Sequence, residues 1–258
     1  MATDGTLAKG FILLDVLVDH PDGVTVTGLS REVDLPPSTV HRLLTEMVRI
    51  GLARIDPQSR RYQLGMKLFE LHHRASEVRT LPEVMLAVMR RLADSTGRTI
   101  FIGAREGAEY YYVERLGGSD RVQIRAYVGE RLPLHAAAGG KCLLAFLPAA
   151  EQEEIIRQLH WEKLTPNTHI DEEDFRKELR QVAESGYAVN DGEIQRGIRA
   201  VSVPIMKGAR PAYALTVSAP DFRMPLDEIA TFLPQLRDAA QEIALQLPRD
   251  EDLSVRSA

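Results

Sequence analysis

The sequence predicts an α+β chain built in two parts, and three observations carry that prediction. The first 65 residues hold three short helical patterns and then two strand-like runs around a turn. A further helical pattern follows and is cut by Pro82. Beyond it, strand-like and helical runs alternate, as they do where helices pack on a mixed sheet. A chain of 258 residues can supply both parts with a core. The expected divisions are 1–65, a linking helix at 66–80, and 81–258.

In chain order, Leu7, Phe11, Leu14 and Val18 fall on one stripe of a first helix. Thr27 is placed to cap a short second helix in which Leu29 and Val33 share a face. Asp34-Leu35 make a tight turn, and Pro36-Pro37 suit a helix start, where the N–H groups lack partners anyway. In the third helix, 38–49, Val40, Leu43, Leu44, Met47 and Val48 form a core stripe, and Gly51 ends it. The runs 52–56 and 61–64 flank Pro57-Gln58-Ser59-Arg60 and read as a hairpin. From Met66 to Arg79 the pattern is helical, with Leu68, Leu71 and Ala75 apolar. Next come a helix at 83–95, strands at 99–104 and 110–114, and helices near 149–159 and 171–185. Strands at 199–204 and 213–218 precede a last helix from Leu226 to Leu247.

The composition, 44% hydrophobic and 27% charged, is that of a soluble globular chain. No apolar run reaches the roughly 20 residues of a membrane span, and MATDGTLAKG lacks the basic and apolar segments of a secretory signal. The single cysteine rules out an internal disulfide and suits a reducing compartment. The expected location is therefore the cytoplasm. A net charge of −5 argues against a protein that coats nucleic acid broadly, though not against a local basic surface.

Helix, helix, turn, helix and hairpin in this order make a winged helix-turn-helix, whose last helix enters the major groove by its amino-terminal end. Ser38, Thr39, His41 and Arg42 stand there and are of the types that meet phosphates and base edges. Across 36–64, Arg42, Arg49, Arg54, Arg60 and Arg61 face only Glu46 and Asp56, a balance of +3, whereas 1–65 as a whole carries −1. A basic patch confined to the third helix and the wing suits a site-specific reader of double-stranded DNA. A helical subdomain with a merely solvated polar face explains any one helix but not the whole succession.

In the second part, RLPLHAAAGGKCLLAF (131–146) admits three chemistries. A phosphate loop fails twice: His135 stands where its first glycine belongs, and Cys142 replaces the magnesium-binding hydroxyl. A nucleophilic Cys142 would gain from a helix amino terminus and from Lys141 and His135, but the thiol opens an apolar run in which it would pack well. The third is an anion cradle. Ala136 to Gly140 let the backbone approach a carboxylate, and the following helix offers unpaired N–H groups. The plainer account is a segment kept small because a neighbouring strand packs on it. Metal spacing is lacking: His72-His73 point to different helix faces, and His160 and His169 read as solvated or capping. No metal, cofactor or catalytic residue is expected.

GLSREVDLPPSTVHRLLTEMVRIGLARIDPQSRRYQLGMKLFEL resembles the amino-terminal domain of the IclR family of bacterial transcriptional regulators. RLPLHAAAGGKCLLAF and NDGEIQRGIRAVSVPI (190–205) resemble that family's effector-domain signatures, so the likeness runs from about Leu7 to Leu247. It implies a GAF-like effector-binding domain after a linker helix, and homodimers or homotetramers on palindromic or repeated operators. It also implies a pocket with Ala138 and Gly139 offering N–H groups. Asn190, Ala200, Thr216 and Ser218 would line its polar side, and Ile124, Leu132 and Ile198 its apolar wall. Asn190 and Ala200 depart from the acidic residue and the cysteine of some members, and Asp191 and Glu193 read as turn formers. The expected protein is a regulator, a repressor by slight preference, whose DNA binding responds to a small organic acid, aromatic acids included. Its rivals are an enzyme with a DNA-binding head using Cys142 and a structural DNA-bridging protein.

Overall fold

A computed structural model describes residues 5–79, 83–119, 124 and 126–247. The chain divides into two compact units, Met1–Thr80 and Leu81–Ala258. Pro82, the expected breaker, and the side chain of Ala75 lie outside the described part.

The first unit comprises α1 (Thr6–Asp19), α2 (Val26–Glu32), α3 (Pro37–Arg49), β1 (Ala53–Ile55), β2 (Tyr62–Leu64) and α4 (Lys67–Arg79). Leu13, Leu14, Leu17, Leu29, Val40, Leu43, Leu44 and Met47 meet in its core with Ala53 and Tyr62. The stripe expected on α1 is corrected: Leu14 is buried, but Leu7, Phe11 and Val18 are exposed. That helix is apolar on several faces, so periodicity cannot choose among them. The cap of α2 is also corrected, from Thr27 to Thr25, whose hydroxyl accepts the Gly28 N–H at 3.1 Å. Val24 bridges to Tyr62 in the wing, which holds Thr25 extended as a cap must be. At the end of α3, Gly51 is left-handed (φ 80°). Gly51 N–H donates to Val48 and Leu52 N–H to Met47, the paired bonds of a Schellman motif.

The second unit opens with α5 (Glu83–Thr96), β3 (Thr99–Glu106), β4 (Glu109–Leu116) and β5 (Arg131–Pro133). It continues through α6 (Ala138–Ala145), α7 (Ala149–Gln158), α8 (Glu172–Ser185), β6 (Ala188–Asp191), β7 (Ile198–Lys207), β8 (Arg210–Pro220) and α9 (Ile229–Gln246). Six strands form one sheet in the order β5-β4-β3-β8-β7-β6. Every pairing is antiparallel, where a mixed sheet was expected. The reason is local: β3–β4 and β7–β8 are joined by tight turns with Gly107 and Gly208 left-handed, and short turns allow only antiparallel neighbours. The strands β5 and β6 were not anticipated. Three and four residues long, they lack a run that alternation can reveal.

The two faces of this sheet differ. Ile100, Ile102, Val201, Val203, Leu215 and Val217 point to one side and pack on α5 and α9. The residues between them point to the other side, where α6 crosses β3, β6, β7 and β8.

Candidate functional site

On the side covered by α6, the register Asn190↔Ala200↔Ser218↔Thr99 sets four residues in one row across β6, β7, β8 and β3. The next row on the same face is Ala188↔Ser202↔Thr216↔Phe101. Thr99, Asn190, Ser202, Thr216 and Ser218 are all buried, so five polar side chains share a face beneath a helix. They satisfy part of one another's demand. Thr216 Oγ1 donates to Ser202 Oγ (3.0 Å), Ser202 Oγ to the Leu215 carbonyl (3.3 Å), and Ser218 Oγ to the Arg199 carbonyl (3.1 Å). Asn190 Oδ1 accepts the Glu193 N–H at 2.9 Å, folding the turn after β6.

Ala138, Gly139 and Gly140 are the first turn of α6 rather than loop, and all three are buried. Ala136 and Ala137 N–H groups donate to the Pro133 carbonyl, and the helix ladder begins with Lys141 N–H to Ala137 (2.9 Å). The N–H groups of Ala138, Gly139 and Gly140 precede that ladder, as at any helix start. Their small size has a packing cause. A methyl on Gly139 would lie 2.1 Å from the Tyr110 hydroxyl, and one on Gly140 would lie 2.5 Å from the Leu134 carbonyl. Tyr110 comes from β4 and wedges its ring between Gly139 and Gly103 of β3. Its hydroxyl is buried beside Thr216, whose own Oγ1 donates to Ser202. Burial, with Tyr112 beside it, pushes the phenol far above its usual range. Thr99, Ser202 and Tyr110 were missed in the sequence; strand alternation would have reached the first two.

Of the expected apolar wall, Ile198 shares the face of Ala200, two residues along β7. Leu132 lies on β5, at the sheet edge opposite Asn190, and lines a pocket of about 280 Å³ with His135 and His160. Ile198 begins β7 half-buried, pairing with Pro220. Ile124 is half-buried, its carbonyl accepting from Arg115 at 3.1 Å.

The cysteine reading fails on geometry. Cys142 is wholly buried, and desolvation drives its thiol far above the ordinary range, so the thiolate is suppressed. Neither expected activator serves it. Lys141 Nζ is bound at 2.6 Å by both Glu178 and Glu193. His135 is held through Nε2 at 3.0 Å from the Glu162 carbonyl and lies beside Trp161. Burial lowers the His135 pKa, which keeps the ring neutral. Glu193, read as a turn former, is thus also one of three members of a charge cluster with Lys141 and Glu178.

In the first unit, Pro36 caps α3 and Pro37 opens it. Ser38, His41 and Arg42 are exposed at this amino-terminal end, and Thr39 is half-exposed. Arg42 and Arg60 make no ion pair among the described residues. Arg49 is engaged, its Nε donating to Glu46 at 2.9 Å, and so is Arg61, which donates to the Gly23 carbonyl at 3.0 Å. Arg54 is exposed on β1. Arg60 sits left-handed (φ 59°) in the wing turn, where Asp56 Oδ1 accepts the Gln58 and Ser59 N–H groups. These bonds hold the Asp56 carboxyl below its usual pKa.

A three-helix reading head with a wing, joined to a domain that buries a polar sheet face under a helix start, defines a DNA-binding regulator that senses a small molecule. Residues 73–245 match the family "Bacterial transcriptional regulator IclR C-terminal", and residues 6–57 match "IclR helix-turn-helix domain". The chain is 30% identical over 243 residues to the HTH-type transcriptional regulator XynR of Escherichia coli K12, covering 94% of this chain and 96% of XynR. It is also 30% identical to the E. coli repressor AllR, over 93% and 89% of the two chains. The Thermotoga maritima IclR structure superposes with a TM-score of 0.79 at 25% identity, over 94% and 98%. An IclR homologue from Microbacterium hydrocarbonoxydans, solved with 4-hydroxybenzoate, gives 0.78 at 29% identity, over 93% and 98%.

The chain belongs to the IclR family. It is a sequence-specific DNA-binding transcriptional regulator with a carboxy-terminal effector domain, and not an enzyme. No helix among the described residues is long and apolar enough to cross a membrane.

Proposed function

We propose that the effector is a small carboxylate, aromatic acids included, held between the start of α6 and the polar sheet face. The observation that carries this is the coincidence of three helix-start N–H groups with buried Asn190, Ser218 and Thr216. A helix start favours an anion, and an amide at Asn190 adds no repulsion. The relative solved with 4-hydroxybenzoate supports an aromatic acid as the first ligand to try. Ile124, Leu132 and Ile198 are its candidate apolar wall beside Ala138, Gly139 and Ala200, with Leu132 pairing with the Tyr110 that lies against Gly139.

Ser38, Thr39, His41 and Arg42 read base edges in the major groove, and Arg54 and Arg60 grip phosphate at the wing. Arg49 and Arg61 contribute charge while bound to Glu46 and Gly23. One short recognition helix discriminates too little of a genome, so the working unit is a homodimer or homotetramer on paired half-sites. The division at 1–65, 66–80 and 81–258 makes α4 the lever between reader and sensor. Repression is the favoured mode, in line with relatives named as repressors, and the cytoplasm the place of action. The effector acts only by binding the DNA-competent and DNA-incompetent states unequally.

Thermal melts with 4-hydroxybenzoate and a panel of carboxylates test the site. Asn190→Asp, which sets a charge in the sheet row, should weaken any stabilising acid. An acid that stabilises the variant as well as the parent would place the site elsewhere.

A further inference from the structure

The second unit holds a charge cluster that the effector reading does not use. Lys141 is fully buried, and its ammonium lies 2.6 Å from one oxygen each of Glu178 on α8 and Glu193 in the turn after β6. One ammonium against two carboxylates leaves a net charge of −1 while His169 is neutral. His169 Nδ1 approaches the second oxygen of Glu178 at 3.2 Å. The second oxygen of Glu193 is buried and has no hydrogen-bond partner among the described residues, in a residue only 5% exposed. A buried carboxylate oxygen with nothing to accept from is rare and calls for an occupant.

We propose that His169, Glu178 and Glu193 form a site for one divalent first-row transition-metal ion of the Zn²⁺ type. Donor atoms from the three residues lie within 4.8 Å of one another. Tetrahedral zinc with ligands at about 2.0–2.2 Å sets them roughly 3.3 Å apart, a spacing the Glu178–His169 pair at 3.2 Å already has. One imidazole with two carboxylates suits zinc and its neighbours; magnesium and calcium favour all-oxygen shells with more ligands. Water completes the shell.

The supports are firm and the approach is open. Thr168 Oγ1 donates to the Glu193 carbonyl (2.6 Å), Thr165 Oγ1 to the Gly192 carbonyl (2.7 Å), and Asn167 Nδ2 to the Asp191 carbonyl (2.9 Å). The segment before α8 is thereby laced to the turn that carries Glu193. The His169 side chain is 52% exposed, which gives an ion a way in, while Lys141 holds both carboxylates from inside. An ion here would brace the turn on which Asn190 hangs, whatever Asn190 binds.

The test uses full-length protein stripped with a chelator, then titrated with ZnCl₂ by calorimetry and followed in thermal melts. The expected result is saturable uptake of one zinc per chain and a melting temperature that rises with zinc but not with equal magnesium. His169→Ala removes an exposed ligand and leaves the Lys141 pair intact. It should cost more than about tenfold in zinc affinity, the loss caused by even an outer-shell partner. A His72→Ala/His73→Ala variant should bind as the parent does. No saturable uptake by the parent, undiminished affinity in His169→Ala, or loss of binding in the His72/His73 variant would each overturn the site.

Discussion

Arg42 stands exposed at the start of α3, where a helix meets base edges, and this position makes a sharp prediction. Arg42→Ala should weaken operator binding by about 1–3 kcal/mol if the guanidinium contacts a base, read as fluorescence anisotropy across a salt series. Unchanged affinity and salt slope would remove it from the interface. A second prediction concerns Tyr110, whose hydroxyl presses on Gly139. Gly139→Ala should destabilise the fold by about 1–3 kcal/mol through overpacking. Tyr110→Phe should recover part of that loss, so the two changes are not additive in a double-mutant cycle. The third concerns Cys142. With its folded pKa raised, the thiol stays protonated while the unfolded chain ionises near pH 8.5. Its contribution to stability is therefore whole below that pH and is lost as pH rises above it. Native protein should resist iodoacetamide throughout, and Cys142→Ala should flatten the alkaline decline in melting temperature.

Among the elements, α6 is tied to two others at once, because its Lys141 reaches both α8 and the turn after β6. Lys141→Met should cost about 3–5 kcal/mol in denaturant unfolding, since it strands the buried Glu193 carboxylate and the half-buried one of Glu178. An undisturbed variant would show that the cluster is solvated. How legible these elements were follows from their patterns. The stripe on α3 is unbroken and its proline start unambiguous, so this helix was readable to within a residue. The face of α1 was not, because a helix with apolar residues all round gives periodicity nothing to select. The glycines of α6 were legible as a place of close approach, but not what approaches. Tyr110 lies some 30 residues earlier, on β4, and only the fold brings its ring to Gly139. Lys141 and Glu193 were likewise read singly, because an ion pair across 52 residues leaves no local mark.

At the scale of the whole molecule, effector binding should appear as added stability. A ligand at a hundred times its dissociation constant contributes about 2.7 kcal/mol, and a domain of this size should melt roughly 5–10 °C higher. Absence of any shift across a broad carboxylate panel would point to another ligand class. The sheet carries a further consequence. Its strands alternate so that Val201, Val217 and Ile100 serve the layer of α5 and α9, while Ala200, Ser218 and Thr99 look the opposite way. Neighbours in sequence thus answer to different masters. Under the effector site proposed above, a single substitution at position 190, 200, 216 or 218 should reshape what is recognised without disturbing the apolar layer that keeps the domain folded. On that proposal, ligand preference is set on one face of the sheet and the stability of the scaffold on the other.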